Sequence, residues 1–387
     1  MPIAPAPAWF NGTGGPRNLA LAPPRAPAQR ERMTLPTAPG ERLVIHSELP
    51  ADWDELALRT PSPFLTQAWL DSWWRTRGKG GRVVASLVAA DGKLLAAAAF
   101  ARSRFGKLTA TADEHSGDWN VVAIDDPARS MLLDELAGLD SPTLVMGPLR
   151  SSALAHGAFA RAGRRVRESS GPHSPYLALA GSFDELLAAR SSNLRSQFRR
   201  RRRALERRGG LRLRTTVGGD ALEDDLDAVL RLEASGWKGR DGTAILSRRD
   251  TECLYRDFIH AAATKGWLRL YLLELDGVPI AGDLGCAIGG EGFLVKTGFD
   301  ESLADASPGL VLRGEVLRAS MDEGLRGYDF LGGPDPYKLR WTEELRPRTN
   351  VHGYRGVAAV PSEAWRHALR PALAHGRRRA QALREDQ

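Results

Sequence analysis

The chain has 387 residues, with 54 Lys and Arg against 47 Asp and Glu, a formal net charge of +7 at pH 7, and two cysteines, Cys253 and Cys286. That length suits about two domains of roughly 150 residues, each able to bury a core, and the positive balance favours anionic ligands. Two cysteines cannot build a disulfide framework or a thiolate metal site, and no stretch approaches the roughly 18 apolar residues of a membrane span.

Residues 1–40 are rich in Ala and Pro and poor in periodic apolar positions, so they are expected to form a disordered leader. They lack the apolar core of a signal peptide, and a cytoplasmic location is expected. From Arg42 the pattern alternates. Leu43-Val44-Ile45 reads as a strand and Thr66 to Arg77 as a helix bearing Trp69, Trp73 and Trp74. Val83–Ala89 and Leu94–Phe100 are strands joined by the hairpin signal Asp91-Gly92. A strand over 119–124, a helix over 128–139, a strand over 143–146, a helix over 151–162 and an extended 165–168 complete an α/β or α+β domain with a mixed sheet. Asp113, Glu114, His115 and Asp118 form a polar loop without metal-ligand spacing.

Turn residues at Gly171-Pro172-His173-Ser174-Pro175 place a boundary between domains 41–172 and 173–360, followed by a basic helical tail over 361–387. The capping box Ser182-Phe183-Asp184-Glu185 opens a helix expected to run to about Arg208, where Gly209-Gly210 stops it. Its run Arg199 to Arg203 points all round the helix. With only Phe198 available for stacking, a solvated basic face is favoured over a nucleic-acid contact. A strand over 211–217, a helix over 223–234 and a helix over 254–264 lead to a hairpin, 268–275 and 280–288, turning at Asp276-Gly277. Glu291 to Gly298 is a third consecutive strand. Ser307-Pro308-Gly309 then opens a helix with Leu310, Leu312, Val316, Leu317 and Met321 on its apolar positions.

The stretch Gly327-Tyr328-Asp329-Phe330-Leu331-Gly332-Gly333, followed by Tyr337, Lys338 and Trp341, is a short buried strand that runs into a glycine turn and a polar, aromatic cluster. Strand, Pro/Gly-opened helix and strand make a βαβ-like unit, and the start of its helix is a ready anion site because its first amides lack partners. Asp329, between two apolar aromatics, is a candidate base whose pKa desolvation would raise; capping a turn or pairing with an arginine is its alternative role. Tyr337 is a candidate proton donor, Lys338 a candidate anion holder and Trp341 a candidate pocket wall. For all three, packing in the second domain is the alternative. Glu233, Trp237 and Lys238 form a second polar, aromatic group at a helix end, either lining an acceptor site or packing that end.

The blocks Phe293 to Asp300, Ser307-Pro308-Gly309, Tyr328-Asp329-Phe330 and Tyr337 to Trp341 resemble the CelD/BioF-like acyltransferases of the GNAT superfamily, relatives of the Fem-type aminoacyltransferases. The likeness spans about Arg42 to Gly356 and is strongest over Trp237 to Trp341. It implies a tandem GNAT-like fold whose first half is degenerate and whose second half binds acetyl-CoA or another acyl-CoA, with no metal. It further implies that pantetheine pairs with the strand at Val295, Lys296 and Thr297, and that Ser307, Gly309 and Leu310 face the pyrophosphate. The sequence Asp305 to Leu310 keeps only part of the superfamily's phosphate loop, and Pro308 brings no amide proton.

The expected function is direct transfer of an acyl group to a small-molecule amine, in polysaccharide or cell-envelope precursor metabolism. Two alternatives stay open: a Fem-type transferase using aminoacyl-tRNA, and a non-catalytic GNAT-like scaffold. Acceptor, acyl length and oligomeric state are not fixed by the sequence.

Overall fold

A computed structural model describes residues 33–36 and 40–356, with the side chains of residues 33–36, Trp237 and Lys238 outside the described residues. The remainder of the expected leader and the expected tail also lie outside them. The strands are β1 (Met33–Pro36), β2 (Glu41–His46), β3 (Gly81–Ala89), β4 (Leu94–Arg102), β5 (Leu108–Ala110), β6 (Val122–Ala123), β7 (Thr143–Leu149) and β8 (Arg165–Ser170). They continue as β9 (Ser174–Ala178), β10 (Leu211–Thr216), β11 (Leu268–Leu275), β12 (Val278–Ile288), β13 (Glu291–Phe299), β14 (Gly327–Asp329), β15 (Leu345–Arg346) and β16 (Thr349–Tyr354). Two mostly antiparallel sheets result, ordered β1-β2-β3-β4-β5-β7-β16-β8, with β6 on β4, and β10-β11-β12-β13-β14-β9-β15. This is the expected mixed α/β architecture, a tandem GNAT-like fold flanked by helices.

Three expectations change. The leader's residues 33–36 pair with β2, from Met33 opposite Ile45 to Pro36 opposite Arg42. The long helix from the capping box is two helices, Phe183–Ala188 and Ser192–Glu206, because Ser191 starts a new cap by accepting from the Leu194 amide at 3.2 Å. Of the strand expected over 119–124, only Val122–Ala123 is laddered. Trp119 is held instead by its indole, which donates to the Ala99 carbonyl at 3.2 Å. The last strand also crosses back: β16 lies between β7 and β8 of the first sheet, so sheet membership does not follow chain order.

Hydrophobic burial ties the halves together. Helix Gln67–Arg77, capped by Thr66 accepting from the Trp69 amide, lays Trp69 against the second half's helix Arg249–Thr264, with ring centroids 5.1 Å from Phe258 and 5.9 Å from Tyr255. One apolar cluster therefore runs from Trp53 and Phe64 through Trp69 to Leu226, Phe258, Leu284 and Phe293. A second, on the other face of the second sheet, joins Phe198, Leu294, Val311, Leu312, Phe330 and Trp341 beneath helix Pro308–Asp322. β13 is thus buried on both faces, which explains its nearly continuous apolar start.

Candidate active site

A strand splay creates the site. β14 pairs parallel with β13 over only Glu291–Phe293, opposite Gly327–Asp329, the two being joined by helix Pro308–Asp322 as the sequence pattern requires. β14 then ends, while β13 runs on to Phe299. Beyond Phe293 no described strand pairs with β13 on that side, so its backbone amides and carbonyls face an opening instead of a ladder. The opening is a cleft of about 520 Å³ whose walls include Glu233, Val295, Lys296, Thr297, Phe330, Tyr337 and Lys338.

The strand is bulged at this point. Leu284 opposes Lys296 while Gly285 opposes Leu294, so Val295 is one residue extra and has no opposite number on β12. A bulge aims two consecutive side chains at one face. Val295 packs against the cluster that contains Trp69 and Tyr255, and the Lys296 amine lies 5.3 Å from the Tyr255 ring on the same face. Thr297 opposes Asp283, which faces the helix Pro308–Asp322 on the other side.

The far wall turns sharply after β14. Leu331 and Gly332 both have positive φ, 50° and 60°. Lys338 clamps this turn: its amine donates to the carbonyls of Leu331 at 2.8 Å and Gly333 at 3.1 Å and pairs with Asp335 at 2.7 Å. Lys338 thus reaches the cleft as the brace of its own loop. Tyr337 is partly exposed on the same short helix, and burial of the phenol raises its pKa, opposed by the nearby Arg313 cation. That phenol is protonated at neutral pH and suits a proton donor.

Asp329 is placed otherwise than expected. It is fully buried outside the cleft lining, and one carboxylate oxygen accepts from the Ser174 hydroxyl and from the Leu331 amide at 2.9 Å. The other oxygen meets Arg348 at 3.3 Å and Arg346 at 3.6 Å. Both alternative roles therefore apply, turn cap and arginine partner. Arg348 also donates to the Gly117 carbonyl at 2.8 Å, so Asp329 fastens the first half's loop to the end of β14. Asp329→Asn is expected to cost about 1.5–3 kcal/mol of stability, the scale of a lost charged hydrogen bond, with little change in turnover per folded molecule. Urea midpoints beside initial rates check this; a hundredfold rate loss at unchanged stability would restore the base role.

The other expected residues divide. Glu233 is buried in the cleft wall and accepts from the Ile245 amide at 3.0 Å. Trp237 and Lys238 lie on the short helix Trp237–Arg240, their side chains outside the described residues. Trp341 is buried away from the cleft, 6.3 Å from Phe198 between ring centroids; its bulk fills the core under helix Ser192–Glu206. Ser307 adopts a left-handed conformation (φ 53°, ψ 55°), makes no side-chain cap bond, and accepts at its carbonyl from the Leu310 amide at 3.1 Å. Leu310 therefore spends its proton inside the helix, and neither Ser307, Gly309 nor Leu310 lines the cleft as it stands. The sequence pattern does not mark Tyr255 or His115 as neighbours of this site. The Tyr255 hydroxyl bonds His115 Nδ1 at 3.3 Å and brings the first half's loop up behind Lys296; Tyr255 reads in sequence as one more apolar position on a core helix. Among the described residues, no cluster of three or more His, Cys, Asp or Glu could hold a metal ion, and no helix is long and apolar enough to cross a membrane.

A splayed parallel strand pair, a bulge at its mouth and a helix starting beside it form the cleft. Residues 192–339 match the family model described as an acetyltransferase (GNAT) domain, which makes the chain a transferase. No curated protein sequence matches it. Among solved structures it is similar to FemX, at 12% identity and a TM-score of 0.55 over 80% of this chain and 97% of that one. It is also similar to the C-terminal domain of a putative lysylphosphatidylglycerol synthetase from Agrobacterium fabrum, at 14% identity and a TM-score of 0.51 over 80% and 92% of the two chains. A conserved protein of unknown function from Bacteroides thetaiotaomicron aligns at 14% identity and a TM-score of 0.52 over 80% and 99%. At these identities the likeness is one of fold.

Proposed function

We propose that the chain is a CelD/BioF-like N-acyltransferase that moves an acyl group, acetyl first, from acyl-CoA directly to a small-molecule amine in polysaccharide or cell-envelope precursor metabolism. The observation that carries this reading is the unladdered, bulged length of β13 facing the cleft. An extended pantetheine arm can complete its hydrogen bonds as a missing strand would. Amides around Val295 to Thr297 can donate to the thioester oxygen as charge develops there.

In the reaction the amine nitrogen attacks the thioester carbonyl, a C–N bond forms and the C–S bond breaks. CoA leaves as a thiolate that takes a proton, for which Tyr337 is the proposed donor. The acceptor ammonium must first lose a proton, and Glu233, a buried carboxylate of the cleft wall beside Lys296, is the proposed group to receive it, directly or through water. Asp329 is left as the anchor of the loop. The amide of Gly309, ahead of a helix dipole, is the group offered to the pyrophosphate.

Acetyl-CoA is expected to raise the melting temperature and to release thiol in the presence of a suitable amine. Tyr337→Phe is expected to lower kcat about 10²-fold, the usual worth of one general acid, with acetyl-CoA affinity retained. A protein that acetyl-CoA neither binds nor protects would overturn the reading. Binding without turnover on any amine would favour the scaffold alternative. The aminoacyl-tRNA alternative draws on the outer face of helix Ser192–Glu206, where exposed Arg199, Arg200 and Arg203, with Arg207 just beyond, border a groove of about 500 Å³. Salt-dependent tRNA protection without acetyl-CoA protection would favour it.

A further inference from the structure

Among the described residues, the cleft contains one cation that its own fold does not use. Lys338 is spent on the turn it braces, and Arg313 is paired beneath the sheet. Lys296 is half-buried in the cleft wall with its amine over the Tyr255 ring, and among the described residues that amine makes no hydrogen bond or ion pair. Enclosed ammonium groups are ordinarily matched by acceptors, because desolvation without a partner is costly.

Burial pulls the Lys296 pKa below the ordinary lysine value, while Glu233 and Asp113 push it back up at longer range. Titratable groups face the amine from three elements: Glu233 from helix Leu222–Ala234, Tyr255 from helix Arg249–Thr264, and Asp113 and His115 from the first half's loop. Burial lowers the His115 pKa first, and Lys296 lowers it further, so the imidazole is neutral beside the amine. Neither the phenol of Tyr255, whose burial drives its pKa up, nor this imidazole supplies a negative charge.

We propose that Lys296 receives an anionic group, a carboxylate or a phosphate, of the acyl acceptor, so that the acceptor is an amine carrying a negative charge on the same small molecule. This rests on the reading of the chain as an acyltransferase to amines. The bulge at Val295 is what makes the placement work. It turns Lys296 toward the Glu233 side of β13, away from Thr297 and the start of helix Pro308–Asp322 where CoA phosphates are expected. Glu233 and Lys296 then present one negative and one positive group on the same side of the cleft, matching a zwitterion at its ammonium and its anion.

The test compares matched acceptors: β-alanine against β-alaninamide for a carboxylate, and phosphoethanolamine against ethanolamine for a phosphate. Thiol release from acetyl-CoA is read with the wild type, Lys296→Met and Lys296→Gln. The wild type is expected to favour at least one anionic member by about tenfold or more in kcat/KM, mainly through KM, which is the worth of one charge-assisted hydrogen bond. Both variants are expected to lose that preference while a melting-temperature shift with acetyl-CoA persists, and Lys296→Arg is expected to keep part of it. Which pair shows the preference identifies the anion. No preference in the wild type, or a preference that survives in both neutral variants, overturns the proposal. If acetyl-CoA does not protect the wild type at all, the acyl-CoA reading fails instead. In that case, protection by the anionic amines alone, present in the wild type and lost in Lys296→Met, still decides the Lys296 site.

Discussion

Arg313→Met is expected to cost about 3–5 kcal/mol of folding stability, the range for breaking a buried ion pair by removing one partner. Arg313 is 2% exposed on helix Pro308–Asp322, and its guanidinium meets Asp283 of β12, itself 0% exposed, at 2.8 Å. It also donates to the Tyr328 hydroxyl at 2.9 Å and lies 5.7 Å from the rings of Tyr328 and Phe330. Burial alone would pull the Arg313 pKa down, but Asp283 together with Tyr328 and Tyr337 outweighs it and the net shift is upward, so the arginine is charged at every working pH. Methionine fills much of the same space and leaves the Asp283 carboxylate without its cation. Arg313→Met with Asp283→Leu is expected to recover most of the loss, because two apolar residues replace both charges. Urea unfolding of the two single variants and the double variant gives the coupling directly, with unchanged m-values as the condition for comparing them. A single-variant loss below about 1 kcal/mol would mean that Asp283 finds another partner.

The network also explains what the sequence made legible and what it hid. Strands β11 to β14 and helix Pro308–Asp322 were visible because local signals agree there: Asp276-Gly277 turns the hairpin with φ 50° and 81°, and Pro308 opens the helix at its first position. Period and turn chemistry are local, so they survive in a single sequence. The cleft lining was partly legible for the same reason, since Val295, Lys296, Thr297, Tyr337 and Lys338 flank those signals. Partnerships were not legible. Asp329 was a candidate base on the strength of two apolar neighbours, whereas Arg346 and Arg348, beyond the next turn, take its charge. Trp341 sits one turn from Tyr337 in sequence but points into the core against Phe198, a choice made by a helix more than a hundred residues upstream. The break at Ser191 was hidden behind continuous apolar spacing, because a serine cap and a surface serine look alike until the chain turns.

Gly298→Ala is expected to injure the site more than the fold. β13 and helix Leu222–Ala234 touch backbone to backbone at this glycine, where an added Cβ would stand 2.4 Å from the Glu233 amide nitrogen, 2.5 Å from its Cα and 2.5 Å from the Leu232 carbonyl carbon. No rotamer relieves a clash with main chain, so either the helix end or the strand must move. Stability should fall by about 1–3 kcal/mol, the usual cost of overpacking. The larger effect is positional. The helix end carries Glu233 and the strand carries Lys296 and the bulge, so a shift of about 1 Å separates the groups proposed to hold the acceptor from the amides proposed to polarise the thioester. Misplacement on that scale costs about 10²-fold in rate. Gly138→Ala is the control, because a Cβ there meets nothing within 4 Å at the end of a surface helix of the first half. It should leave rates unchanged and stability equal or slightly higher. Thiol-release kinetics on both variants, at a temperature where each is fully folded, separate the two effects. If Gly298→Ala keeps wild-type kcat/KM, the contact between helix and strand does not set the geometry of the cleft.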